Sequence, residues 1–157
     1  GGFTRELLRR GAGKVAAVDT GYGTLDWDLR SDKRVVVMER RNALHLQGEL
    51  KGLDLVVSDL AWTRQSLVVP VVFGYLNPEG CFFSLLKPQY EQSGAGRRRP
   101  LLEEEAALEL ASRVRDSLDV PEGHRLEFHS SEVRGASGTL EFWLCFLPKN
   151  RDHDALQ

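Results

Sequence analysis

Several features that would fix a chemistry outright are missing from this 157-residue chain. No apolar run approaches the roughly 18–20 residues that a membrane-spanning helix needs, so no membrane partner is expected. The opening stretch, Gly1–Arg10, is polar and arginine-bearing, unlike the apolar core of a secretory signal. Only two cysteines occur, Cys81 and Cys145, each inside an apolar run. Buried, reduced thiols are therefore expected rather than a disulfide framework, which suits a reducing cytoplasm. No Cys or His pair has metal-ligand spacing, so no metal is expected, and neither a phosphate-binding lysine loop nor a nucleophile elbow is present. His45, His124, His129 and His153 are scattered, which suits surface or structural roles. A strong positive charge is also absent. Lys and Arg total 21 against 23 Asp and Glu, and a lone nucleic-acid binder is usually far more basic. The average hides an asymmetry: residues 1–99 hold 15 basic and 11 acidic groups, residues 100–157 hold 6 and 12. A local basic patch remains available, and Arg97-Arg98-Arg99 is its densest run.

What is present is an ordinary folded domain. Hydrophobic residues make up 41% and charged residues 28%, enough apolar surface to offset chain entropy. Short β-like runs alternate with helical stretches, the pattern of an α/β sheet with crossover helices. Helices are expected over Thr4–Arg10, with Phe3, Leu7 and Leu8 inward and Gly11 as its stop, around Leu25–Arg30, over Ser66–Tyr75 despite Pro70, and over Leu101–Leu118. The last shows Leu102, Ala106, Leu110, Val114 and Leu118 at every fourth position, with Pro121 beyond. Strands are expected at Lys14–Val18, Val35–Met38, Leu53–Ser58, Cys81–Leu86, Arg125–Ser130 and Thr139–Leu147. Val35–Met38 is continuous enough in apolar character to be covered on both faces. Asn77–Gly80 reads as a turn, residues 91–100 as a polar loop and 149–157 as a polar tail. The last two strands lack an intervening helix, so they pair antiparallel or separate widely. Trp27, Trp62 and Trp143 are expected in the core or in grooves.

In open parallel sheets the ligand crevice lies beyond the carboxyl ends of the strands. Asp19, Asp59 and Lys87 end apolar runs at that edge. Glu141 lies near the start of the last strand, and an antiparallel strand starts where its neighbours end. Asp59, Lys87 and Glu141 therefore gather at one rim if their strands are neighbours. Asp59 also fits a helix cap and Lys87 a solvated loop lysine. Glu141 is harder to explain away, because Leu140 and Phe142–Leu147 make its surroundings apolar and a carboxylate there needs a partner. Asp19 after Val15–Val18 matches the acid that holds ribose hydroxyls in nucleotide-binding βαβ units.

Six segments then carry a family resemblance, in order: Gly1-Gly2-Phe3-Thr4, Ala17–Gly23, Met38-Glu39-Arg40-Arg41-Asn42, Leu55–Asp59, Leu86-Lys87-Pro88-Gln89-Tyr90-Glu91 and Gly138–Phe142. Together they resemble the hemolysin A (TlyA-type) branch of the FtsJ-like ribose 2′-O-methyltransferases, from Gly1 to about Leu147. The resemblance implies a Rossmann-like class I methyltransferase sheet flanked by helices over 1–148, with the last strand antiparallel. It also implies S-adenosylmethionine as cofactor and ribosomal RNA or a ribosomal subunit as partner. The family's catalytic group is Lys-Asp-Lys-Glu, and Asp59, Lys87 and Glu141 match its last three members. The first lysine, the first central strand and an S4 RNA-binding domain are expected upstream and are not in this chain. By resemblance, Gly1, Gly2, Phe3, Asp19, Thr20, Asn42 and Asp59 lie toward the cofactor, with Asp19 on its ribose and Asn42 near its adenine. The chain departs from the family at Ala61-Trp62-Thr63-Arg64, Ser93–Pro100 and Ala136-Ser137-Gly138-Thr139.

Methyl transfer from a sulfonium is an in-line displacement in which positioning supplies much of the acceleration. Lys87 is expected to activate the hydroxyl or stabilise the emerging alkoxide, with Asp59 and Glu141 orienting it. The competing reading is a non-catalytic methyltransferase fold kept for RNA or protein contacts. A pore-forming toxin has no amphipathic membrane-inserting segment to support it.

Overall fold

The amphipathic run at the start of the chain folds as α1 (Gly2–Arg9), and Gly11, at φ +94°, ends it. Thr4 and Leu8 are its buried residues, while Phe3, expected inward, is 40% exposed. Position 3 lies about 100° around the helix from position 4, at the margin of the buried stripe. This computed structural model describes residues 1–92, 102–135 and 138–150. The described chain forms two compact units, Gly1–Glu49 and Leu50–Gln157.

In the first unit, β1 (Val15–Asp19) pairs in parallel with β2 (Val35–Glu39) across the short helix α2 (Trp27–Ser31). Leu8, Val15 and Leu29 form its buried centre, with Leu7, Ala12, Leu25 and Val35 packed around them. β2 is not covered on both faces as expected. Successive side chains alternate between faces, and Val36, opposite to core-facing Val35, is 40% exposed. Trp27 is 77% exposed, so neither core nor groove holds it; Leu29 is the residue α2 buries.

The second unit contains β3 (Leu53–Ser58), α3 (Gln65–Phe73), β4 (Leu76–Leu86), α4 (Pro88–Glu91), α5 (Glu104–Asp116), β5 (His124–Ser130) and β6 (Phe142–Pro148). Its four strands follow the order β3-β4-β6-β5, with β3 and β4 parallel and β6 antiparallel to both neighbours. The fold class is thus α/β with an open mixed sheet, and the last strand is antiparallel as expected. Phe82 and Phe146 stack at 5.4 Å, and Phe73 from α3 meets both rings edge-on. His124 is buried, its Nε2 hydrogen-bonded to the Gly80 carbonyl at 2.9 Å, a structural role. Among the described residues no helix is long and apolar enough to cross a membrane.

Three expectations need correction. Asn77–Gly80 is not a free turn but an irregular stretch inside β4. Leu76 pairs with Leu53 and Cys81 with Leu55, so the extra residues bulge out, tied by Asn77 Nδ2 to Asp54 at 2.5 Å. Thr139–Glu141 precede β6 rather than belonging to it. The buried stripe of α5 runs through Ala107 and Ala111, and Ala106 is exposed. A helix turns every 3.6 residues, so a strict four-residue repeat drifts about 40° per step and leaves the inner face. α5 packs against α4, and small buried residues suit a close approach between helices. Substituting Ala111 (0% exposed) by Leu should cost about 1–3 kcal/mol through overpacking. Ala106→Leu should change stability by under about 0.5 kcal/mol. Urea unfolding of the two variants checks which face is buried.

Candidate active site

The sheet order delivers three polar residues from three segments to one place. Asp59 follows the end of β3, Lys87 follows the end of β4, and Glu141 immediately precedes β6. Because β4 and β6 are antiparallel with Leu86 opposite Phe142, residues 87 and 141 are the next pair along the ladder. Lys87 Nζ forms an ion pair with Asp59 Oδ1 and lies 3.9 Å from Glu141 Oε1. Side-chain exposure separates the acids: 41% for Asp59 and 11% for Glu141, with 17% for Lys87. Burial pushes the Glu141 carboxyl above the usual carboxylate range. Lys87 opposes that shift and Asp59 adds to it.

The segment Lys87–Glu91 secures this arrangement. Pro88 is buried at the first position of α4, where its missing N–H costs nothing. Glu91 Oε1 accepts the Gln65 N–H at 2.8 Å, satisfying one of the free amides at the start of α3. Beneath the rim, Ser58 and Ser84 hydroxyls meet at 2.8 Å, and Ser84 donates to Gln65 Oε1 at 2.7 Å. This chain of hydrogen bonds joins β3, β4 and α3 directly behind Asp59 and Lys87. Tyr90 packs against Trp62 with ring centroids 4.9 Å apart. Trp62 is 58% exposed at φ +64°. A bulky residue in that conformation is strained, and such strain gathers at functional sites. Sequence reasoning assigned Trp62 to core or groove and missed it. The available signal was an aromatic residue three positions after Asp59.

The first unit presents its own polar edge. Asp19 and Glu39 are register partners at the carboxyl ends of β1 and β2. Glu39 is already committed: its Oε1 accepts from Arg30 at 2.5 Å and from the Gly23 N–H at 3.0 Å. Asp19 is exposed and accepts from Gly21 N–H at 2.7 Å and Thr24 Oγ1 at 3.0 Å. One hydrogen bond on each oxygen leaves acceptor capacity on both. Thr20 is exposed beside it. Asn42 Oδ1 accepts the Leu44 N–H at 2.9 Å, which leaves its NH2 group for a donor role. Gly2 and Phe3 open α1 and are exposed. Gly1 has a packing reason to be glycine, since a Cβ there would come 2.5 Å from Leu29 Cδ1.

Arg97, Arg98 and Arg99 lie outside the described residues. Cys81 and Cys145 are buried, and burial followed by the nearby Glu127 pushes the Cys145 thiol up to about 11. A concavity of about 380 Å³ lined by Val57, Phe83, His129, Trp143 and Cys145 includes none of the expected site residues. Among the described residues no three His, Cys, Asp or Glu side chains are grouped to hold a metal ion.

The chain is 40% identical to the 16S/23S rRNA (cytidine-2'-O)-methyltransferase TlyA of Mycobacterium tuberculosis, over 92% of this chain and 55% of that protein. It is 32% identical to Hemolysin A of Brachyspira hyodysenteriae, over 94% of this chain and 63% of that one. The chain thus spans little more than half the length of these relatives. A solved structure from Streptococcus thermophilus, provisionally named a hemolysin, superposes with a TM-score of 0.80 at 30% identity, covering 96% of this chain and 56% of that one. The family described as FtsJ-like methyltransferase matches residues 1–99, and the chain belongs to that family.

Proposed function

We propose that the protein transfers a methyl group from S-adenosylmethionine to a ribose 2′-hydroxyl of ribosomal RNA, in the cytoplasm. The observation that carries this reading is the placement of Lys87 between Asp59 and Glu141, contributed by three separate β segments. The known activity of the TlyA relative supports the substrate class. A non-catalytic scaffold has no need of a half-buried lysine flanked by two acids, which is costly to desolvate.

The first unit fits the cofactor in its chemistry: Asp19 retains acceptor capacity suited to ribose hydroxyls, and Asn42 offers an amide donor. Bound S-adenosylmethionine supplies an electrophilic methyl group on a positively charged sulfur. The second unit handles the acceptor. Lys87 donates a hydrogen bond to the hydroxyl oxygen and stabilises the negative charge that develops there. Asp59 holds the ammonium in place. Glu141, whose carboxyl is raised by burial, takes the departing proton. Trp62 offers an exposed ring face on which the base of the acceptor nucleotide stacks.

Three measurements on the full-length enzyme test this. Lys87→Met should lower methyl transfer to ribosomal RNA roughly 10²–10³-fold, with calorimetric affinity for S-adenosylmethionine unchanged. Retained turnover would remove Lys87 from the mechanism. Asp19→Ala should do the reverse, weakening cofactor binding about tenfold or more through loss of charge-assisted hydrogen bonds. The pH–rate profile gives the third. The active form of Glu141 is the carboxylate and its folded value is raised, so activity should fall on acidification through a pH above the usual carboxylate range. The residual activity of Glu141→Gln should lack that acid limb.

A further inference from the structure

We propose that Gly135 is a positioning residue: its bare backbone forms the seat of the Glu141 carboxylate and so sets how that acid faces Lys87. The inference rests on the reading of Glu141 as part of the methyl-transfer site. Between β5 and β6, residues 131–135 run back against residues 138–141. Ser131 N–H donates to the Glu141 carbonyl at 2.9 Å, Gly135 N–H to the Thr139 carbonyl at 3.0 Å, and Gly138 N–H to the Gly135 carbonyl at 2.8 Å. Arg134 ties these residues down through the Gly138 carbonyl at 3.1 Å and an ion pair with Glu104 of α5 at 2.7 Å. Residue 135 is thereby pressed against the side chains of residues 139 and 141.

A Cβ on residue 135 would lie 2.4 Å from Thr139 Oγ1, 2.5 Å from Glu141 Oε1 and 3.2 Å from Glu141 Cδ. Such approaches are far inside van der Waals contact. All three atoms belong to side chains, so the backbone can stay and the side chains must yield. Thr139 can rotate its hydroxyl away. Glu141 must swing its carboxylate, and Oε1 is the same oxygen that stands 3.9 Å from Lys87 Nζ. The cost of a side chain at 135 therefore falls on the site geometry more than on the fold. Gly138 makes the contrast within the same segment. Its φ of +75° calls for glycine, yet a Cβ there would meet nothing within 4 Å.

The test uses the full-length protein with its glutamate carboxyl carbons labelled for NMR, and titrates Glu141, which Lys87 and Asp59 face, in wild type, Gly135→Ala and Gly138→Ala. Gly135→Ala should move the Glu141 titration toward the ordinary carboxylate range, because the displaced carboxyl reaches water. Gly138→Ala should leave it in place. In the same proteins, Gly135→Ala should lower kcat about 10–100-fold, as expected for a small misplacement, with KM for cofactor unchanged. An unmoved Glu141 titration in Gly135→Ala, or an equal shift in Gly138→Ala, overturns the proposal. If Gly135→Ala does not fold, Gly135→Ala/Thr139→Ala, which frees the space of the hydroxyl, carries the measurement, and failure of both to fold also overturns it. The carboxyl titration does not depend on turnover, so a wild-type protein without methyl transfer would end the functional reading and leave the seat decided separately.

Discussion

The register between β4 and β6 is the constraint on which the candidate site depends. Leu86 faces Phe142, so the next residues outward, Lys87 and Glu141, meet at the rim. Side chains alternate along a strand, and a slip of one residue would send Glu141 to the opposite face. The register is held by what lies further in. Phe82 pairs with Phe146 and stacks on it, and Ser84, Leu86, Phe142 and Leu144 are all fully or nearly fully buried on the same strands. Apolar packing in the sheet thus fixes the position of a charged group at its edge. Parallel pairing of β3 with β4, with Ser58 opposite Ser84, brings Asp59 toward the same edge.

The segment after β4 shows how a short motif combines several physical requirements. Lys87 supplies the cation, and Pro88 starts a helix at once, so the chain turns away directly after the lysine. Tyr90 lies against Trp62, and Glu91 caps α3 through Gln65 N–H. The last two contacts both reach the segment that follows Asp59. The lysine and its acidic partner are therefore joined twice, once by their ion pair and once by their flanking chains. Gln65 belongs to both systems, since its side chain also accepts from Ser84 beneath the rim.

Much of this was legible in the sequence, and the reasons are local. Leu53–Ser58 and Cys81–Leu86 read as strands because their apolar runs are short, continuous and ended by polar residues. An antiparallel last strand was one of the two arrangements open to two strands without a helix between them. That Asp59, Lys87 and Glu141 meet depended on which strands are neighbours, a long-range fact that no local pattern encodes; the family resemblance supplied it. What escaped was decided by packing. The inner face of α5 is marked by two buried alanines, and composition ranks alanine below leucine as a core marker. The stretch 77–80 carries every turn residue and still lies within a strand, because its polar groups are satisfied by Asp54 and by its own backbone. Trp62 reads as a core or groove aromatic and is 58% exposed.

The two acids beside Lys87 are of nearly the same chemistry, and depth is what separates their parts. Asp59 is wet enough to stay a simple counter-ion for the ammonium. Glu141 is enclosed by the segment before it and by the start of β6, so its charged form loses hydration that one cation at 3.9 Å does not restore. A carboxyl in that position binds a proton more readily than an ordinary glutamate does. Of the two acids, the buried one has the raised carboxyl, and the exposed one forms the ion pair with the lysine.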